Sequence, residues 1–205
     1  MATRIPRRSG RMRKQPQQAR SRATIEAILE ATAHILGRRG WDGLTTNAVA
    51  EAAGVSIGSL YQYFPNKLAL VEAVRQRHFD QVLTVLRSAA DTAFPRSRRV
   101  AALVEGMIGL HSQHPAAHRV LLEEAPTVTD VRAAHDRFAT LLHEHYEAII
   151  RSSRRSFPKG ETRIAAQVLA AAVAGVVHDA AIRGTLGSEA FRCELQELVE
   201  AYLST

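Results

Sequence analysis

The stretch Thr45-Thr46-Asn47-Ala48-Val49-Ala50-Glu51-Ala52-Ala53-Gly54-Val55-Ser56-Ile57-Gly58-Ser59-Leu60-Tyr61-Gln62-Tyr63-Phe64 decides the fold. It divides into two short helices, over about residues 46–53 and 56–64, each with a hydroxyl residue placed to cap it. Gly54 between them supplies the backbone freedom of a tight turn. Val49, Ala53, Val55 and Leu60 can pack the pair against a preceding helix, and small Ala50 and Ala53 allow close approach. Outside this packing set the second helix keeps Ser56, Ile57, Gly58, Ser59, Tyr61, Gln62 and Tyr63, mostly hydrogen-bonding groups. A helix that enters a DNA major groove offers such groups from its leading end to base edges, while tyrosines and lysines beside it hold phosphates. Two short helices and a glycine turn also occur in all-α proteins that touch no DNA, so the flanking sequence has to decide.

Upstream, Ile25, Ile28, Leu29, Thr32, Ile35 and Leu36 form one face of a first helix, with Gly40 as its stop and Trp41-Asp42-Gly43 as a connection. Downstream, Asn66 caps a long fourth helix to about Ala90, with Leu68, Val71, Val74, Val82 and Leu86 turned inward. Residues 91–99, containing Pro95, break the pattern. Val100, Leu103, Val104, Met107 and Ile108 mark a fifth helix ending near His114-Pro115, and a short sixth runs to about Glu124 before Pro126. Val131, Ala134, Phe138, Leu141, Leu142, His145, Tyr146 and Ile149 give a long seventh, followed by a polar loop over 152–161. The last two run over about 162–183 and 188–202, with Gly184 and Gly187 in the turn. No stretch alternates long enough for a strand, so the expected class is all-α with about nine helices.

Across about residues 22–75 the sequence resembles the TetR (tetracycline-repressor-like) family of transcriptional regulators. The resemblance lies in the amphipathic first helix, Gly40 with an aromatic at 41, Thr45-Thr46, and Ala50-Glu51-Ala52-Ala53-Gly54-Val55-Ser56. It is most specific in Gly58-Ser59-Leu60-Tyr61-Gln62-Tyr63-Phe64-Pro65-Asn66-Lys67 followed by Leu70. It implies that Thr46 and Asn47 open the supporting helix against the DNA backbone, that Ser56, Ile57, Gly58, Ser59, Tyr61, Gln62 and Tyr63 enter the major groove, and that Lys67 grips a phosphate. Many members carry lysine where this chain has Ile57; an apolar contact to a thymine methyl is the available replacement.

The resemblance further implies a ligand pocket within helices four to eight and a dimer interface on the last two. The segment 164–177 is apolar nearly all round apart from Gln167 and reads as a buried helix, short of the roughly 20 residues of a membrane span. Phe191, Leu195, Leu198, Val199 and Tyr202 form a stripe on the last helix. Two-fold pairing of residues 164–183 and 188–202 makes a four-helix interface, although the same residues serve equally as monomer core. His111, Phe138, Tyr146, His178 and Asp179 are candidates for the polar and aromatic lining of a pocket for a largely apolar small molecule. His111, His114 and His118 lie close in sequence, but Pro115 interrupts their geometry and no carboxylate or thiolate completes a set. No metal and no cofactor is expected.

The 205 residues carry a net charge of +7, and its location is informative. Arg4, Arg7, Arg8, Arg11, Arg13, Lys14, Arg20 and Arg22 precede every acidic residue, so the rest of the chain sums to −1. Such an arm suits nucleic acid, where phosphate neutralisation releases counterions, or an anionic surface; it also serves as a solubilising tail. Arginines fit the narrow minor groove beside a major-groove site. The organisation expected is a basic arm over 1–21, a DNA-binding domain over 22–68 and a sensing and dimerisation domain over 69–205. The single Cys193 excludes an internal disulfide and suits a reducing cytoplasm, bacterial and nucleoid-associated on the family resemblance. The basic N-terminus lacks the apolar stretch of a secretory signal. No phosphate loop, nucleophile elbow or paired-carboxylate set argues for an enzyme. The reading is a homodimeric repressor of a palindromic operator, released by a ligand; the alternative is a DNA-binding protein of low specificity or without a ligand.

Overall fold

The computed structural model describes residues 19–121, 132–153 and 161–204, and these contain helices and connections without a strand. In order they are α1 (Ala19–Gly43), α2 (Thr46–Ala52), α3 (Ile57–Tyr63), α4 (Lys67–Ala90), α5 (Arg96–Gln113), α6 (Pro115–Arg119), α7 (Arg132–Ser153), α8 (Glu161–Arg183) and α9 (Glu189–Ser204). The expected basic arm up to residue 18, the tail of the sixth helix near Glu124, Val131 at the head of the seventh and most of the loop over 152–161 lie outside the described residues.

Contacts divide the chain into two compact units, one of residues 1–76 with 117–134 and one of 77–116 with 135–205. The first is built on the face anticipated for α1: Ile25, Ile28, Leu29, Thr32, Ile35 and Leu36 are all buried. Thr32 loses no hydrogen bond by burial, because its hydroxyl donates to the Ile28 carbonyl one turn back at 2.7 Å. Val49, Leu60, Phe64, Leu70 and Val74 close over that face, with Ala53, Val55 and Trp41 packed at its margin. Backbone geometry interrupts α1 at Gly40, where φ is 67°, so the helical stop falls where glycine permits it. Ala117, Val120 and Leu121 are buried in the same cluster.

The second unit has its own core, from Val82 and Leu86 of α4 through Val100, Leu103 and Met107 of α5 and Tyr146 and Ile150 of α7 to Leu169, Val173 and Val177 of α8 and Leu195, Val199 and Leu203 of α9. Gly106 lets α5 lie close to α4: a Cβ there would fall 2.6 and 2.7 Å from the two Val85 methyls. Pro115, read from the sequence as a stop, opens α6, the first-turn position at which its missing N–H costs nothing.

α8 departs from expectation. By length and composition residues Thr162–Arg183 are apolar enough to cross a membrane, a stronger signal than the shorter run read from the sequence. Its residues Ala166, Leu169, Val173 and Val177 are buried in the core of the second unit, which marks that face as a protein-core face. The helix is not buried all round, however: Ile164, Val168, Val176 and Ile182 are exposed, Ile164 and Ile182 by 64% and 67%.

Candidate nucleic-acid interface

The helix pair is fixed by local chemistry. Thr45 caps α2, its Oγ1 accepting the Ala48 N–H at 3.2 Å, and Ser56 caps α3, its Oγ accepting the Ser59 N–H at 3.1 Å. Asn66 does the same for α4, accepting from Ala69 N–H at 2.9 Å. Gly54 between α2 and α3 has φ 66°, a left-handed value that a Cβ would strain. A hydroxyl pair then ties the helices together, with Thr46 Oγ1 and Tyr61 Oη 3.0 Å apart.

The remaining side chains of α3 face outward. Leu60 is buried, whereas Ser56, Ile57, Gly58, Tyr61 and Gln62 are exposed and Ser59 and Tyr63 are half-buried. Ile57 and Tyr61, exposed by 39% and 42%, put apolar area on an otherwise polar edge. The Ser56 and Ser59 hydroxyls lie 2.8 Å apart and share one hydrogen bond. Asn47 is exposed on α2, beside half-buried Thr46. The ten residues singled out from the sequence thus fall on two packed helices and the start of a third.

Lys67 is more constrained than its sequence position suggests. Its Nζ donates to the Trp41 carbonyl at 3.3 Å and stands 4.1 Å from the centre of the Trp41 ring, so the connection after α1 fixes the ammonium by a hydrogen bond and a cation–π contact. Two further features lay outside the sequence reading. Arg38 and Arg39 of α1 border, with Ala48 and Glu51 of α2, a cleft on the first unit. The buried Arg75 guanidinium donates to Glu72 at 2.6 Å and to the Leu121 carbonyl at 2.8 Å, tying the segment after α6 to α4 within that unit. Arg38 and Arg39 were detectable as a basic pair off the apolar face of α1; the Arg75 contact spans too much chain for any local pattern to reveal it.

In the second unit the candidate lining residues divide. His111 on α5 is buried, its Nδ1 2.7 Å from the Met107 carbonyl, and its ring centre lies 5.2 Å from that of His178 on α8. Burial lowers the His111 pKa, the Met107 carbonyl opposes that, and His178 adds to the lowering. Phe138 on α7 is half-buried and stacks on Phe79 at 3.9 Å. Tyr146 is fully buried, and desolvation raises its pKa so that it stays a neutral phenol. Asp179 does not join them: one position beyond His178 the helix turns its carboxylate outward, and it pairs with Arg183 at 2.7 Å on the exposed side.

Residues 28–74 match the family model described as bacterial regulatory proteins, tetR family, and residues 97–203 match that of the tetracyclin repressor-like C-terminal domain. Among curated relatives, the transcriptional activator FasR of Mycolicibacterium smegmatis is 31% identical over 113 residues, 55% of this chain and 52% of FasR. The transcriptional repressor KstR of the same organism is 40% identical over 55 residues, 27% of each chain. The chain thus spans about half or less of the length of these relatives. Among solved structures, the fatty acid degradation regulator FadR of Bacillus halodurans has a TM-score of 0.70 at 18% identity, covering 93% of this chain and 96% of its own. SmeT in complex with triclosan has a TM-score of 0.63 at 21% identity, covering 88% of each chain. The two family matches together take in the capped helix pair and the helical unit beyond it, and the chain belongs to the TetR family of DNA-binding transcription regulators, which are not enzymes.

Proposed function

We propose that the chain is a homodimeric repressor that reads a palindromic operator with α3 and leaves it when a small, largely apolar molecule binds the second unit. The observation that carries the reading is the outward edge of α3, where Ser56, Ile57, Gly58, Tyr61 and Gln62 stand exposed on a capped helix. Hydroxyl, amide and apolar groups together suit base edges and thymine methyls. Thr46, Asn47, Tyr63 and Lys67 flank that edge as backbone contacts, and residues 1–21 extend it as a basic arm. The functional division is then an arm, a DNA-binding domain over 22–68 and a sensing and dimerisation domain over 69–205.

The occupant of the exposed α8 face is a second copy of this chain. Ile164, Val168, Val176 and Ile182, with Leu198 of α9, lay out apolar surface that a protein in water covers, and two-fold pairing of residues 164–183 and 188–202 covers it self-complementarily. The repressor sense rests on the head-region likeness to KstR, a repressor by name. His111, Phe138, Tyr146 and His178 are the residues for the ligand, and the triclosan bound to SmeT is a precedent for a small apolar molecule in this fold. Release requires the ligand to bind the DNA-incompetent state more tightly. A regulator of bacterial DNA works in the cytoplasm.

A second reading, broad binding along the nucleoid, is favoured by the eight basic residues before the first acid and by Ile57 in place of a charged contact. One experiment separates the two: selection of bound duplexes from random DNA by the full chain, followed by salt titration on the selected and a scrambled duplex. A palindrome with half-sites about one turn apart supports the operator reading. Equal affinity for all sequences at every salt concentration replaces it with the second.

A further inference from the structure

A basic cleft of about 560 Å3 opens on the first unit, lined by His34, Arg38 and Arg39 of α1, by Ala48, Glu51 and Ala52 of α2, and by buried Ile35. Both guanidiniums and the Glu51 carboxylate are exposed, and among the described residues none of the three enters an ion pair. Two adjacent surface arginines are ordinarily just solvated, so their placement has to carry the argument. The stem of Arg39 lies against Gly43: a Cβ at 43 would fall 2.5 Å from Arg39 Cβ and 3.6 and 3.7 Å from its Cγ and Cδ. The missing side chain thus makes room for Arg39 on the α1–α2 connection, two residues before the Thr45 cap of α2. The same connection holds Lys67, through the Trp41 carbonyl at 3.3 Å. No more than about 7 Å of extended chain separates Trp41 from Gly43, so both cations are anchored on one short stretch.

We propose that Arg38 and Arg39 form a second phosphate-holding point of the DNA interface, gripping the sugar–phosphate backbone beside the contact made by Lys67. The inference rests on the reading that α2 and α3 face DNA. Asn47, one of the residues read as a backbone contact, shares its face of α2 with Glu51 one turn later, and Glu51 lines the cleft. Guanidinium forks match phosphate oxygens two at a time, which suits an exposed pair with no carboxylate of its own. Glu51 opposes an anion in the body of the cleft and leaves the strand to pass along its Arg39 margin. An acidic protein segment would meet the same two cations, but it would not explain their place on the connection that also anchors Lys67.

The test uses the full chain on the selected duplex and on a scrambled one, with affinity read by fluorescence anisotropy across a salt series. Arg38→Gln and Arg39→Gln should each shrink the slope of log affinity against log salt by about 1, and the double variant should shrink it by about 2. The fold loss should be the same on both duplexes, because a backbone contact carries no base information. Arg39→Lys, which keeps the charge, should keep the slope, and Glu51→Gln should tighten binding to both duplexes. Arg151→Gln removes an exposed cation of α7 as a control for net charge and should leave the slope unchanged. All these positions are exposed, and circular dichroism checks that each variant keeps its fold. An unchanged slope in the double variant, or an equal loss in Arg151→Gln, overturns the phosphate contact and leaves the cleft to an acidic protein segment or to solvent. Gln62→Ala, on the exposed edge of α3, tells that failure from failure of the underlying reading. Altered base preference there, with unchanged slopes in the arginine variants, overturns the phosphate contact alone; no effect in either set overturns both.

Discussion

The hydroxyls of Thr46 and Tyr61, fifteen residues apart in the chain, lie 3.0 Å from one another and join the first residue of α2 to the exposed face of α3. A single exposed bond of this kind contributes little to stability, about 1 kcal/mol or less. On the proposed reading its effect lies in fixing the angle at which α3 meets DNA. We expect Tyr61→Phe and Thr46→Val each to weaken binding to a selected duplex several-fold, with the double variant losing less than the two losses combined. Fluorescence anisotropy measures all four corners of the cycle. Strictly additive losses would show that the two hydroxyls act separately.

Lys67 offers a cleaner electrostatic measurement, because its stem and ammonium are held against Trp41 in a defined place. Lys67→Met keeps an unbranched apolar chain over the ring and removes the charge. The slope of log affinity against log salt should shrink by about 1, on selected and random duplexes alike. An unchanged slope would mean that the ammonium serves Trp41 alone.

Gly106 of α5 stands directly against Val85 of α4. Gly106→Ala would set a methyl against both branches of Val85, a β-branched side chain with little freedom to rotate away. A loss of about 1–3 kcal/mol in denaturant unfolding is expected. Val85→Ala added to it should restore part of that loss, and no restoration would place the strain elsewhere.

His78 on α4 gives the second unit an acid limit. Burial first, then His111, His178 and Arg77, push its folded pKa down to about 4, against about 6.5 in the unfolded chain. Above the unfolded value both states are neutral and pH has no effect through this group. As pH falls from about 6.5 towards 4 the unfolded state takes up a proton that the folded state refuses, and stability drops. The loss levels off below the folded value at roughly 3 kcal/mol or less. Melts across this range should show the decline, and His78→Gln should flatten it; an equally steep decline in the variant would assign the effect to other groups.

What could be read in advance was local. The buried face of α1 repeats every three to four residues, and the caps at Ser56 and Asn66 act within three residues, so a short window of sequence contains the cause. What escaped was set by tertiary packing. The Lys67–Trp41 and Arg75–Leu121 contacts join residues 26 and 46 positions apart, and the ring contact of His78 with His111 depends on which faces of two helices meet. Asp179 shows the same limit within one helix: residue type suggested a polar pocket wall, but one step beyond His178 turned it to solvent. The exposed side of α8 was hidden by composition, since an all-apolar helix does not announce which side lacks a neighbour.

The paired serines of α3 bear on how selectivity arises at this surface. Ser56 and Ser59 already share a hydrogen bond at 2.8 Å before any nucleic acid approaches. On the proposed reading, engaging a base swaps one hydrogen bond for another, and a correct sequence returns little more than was surrendered. A wrong base leaves a desolvated hydroxyl with nothing in exchange. On that same reading these two residues would act as a veto on mismatched sites, while the strength of attachment would come from the cations around them.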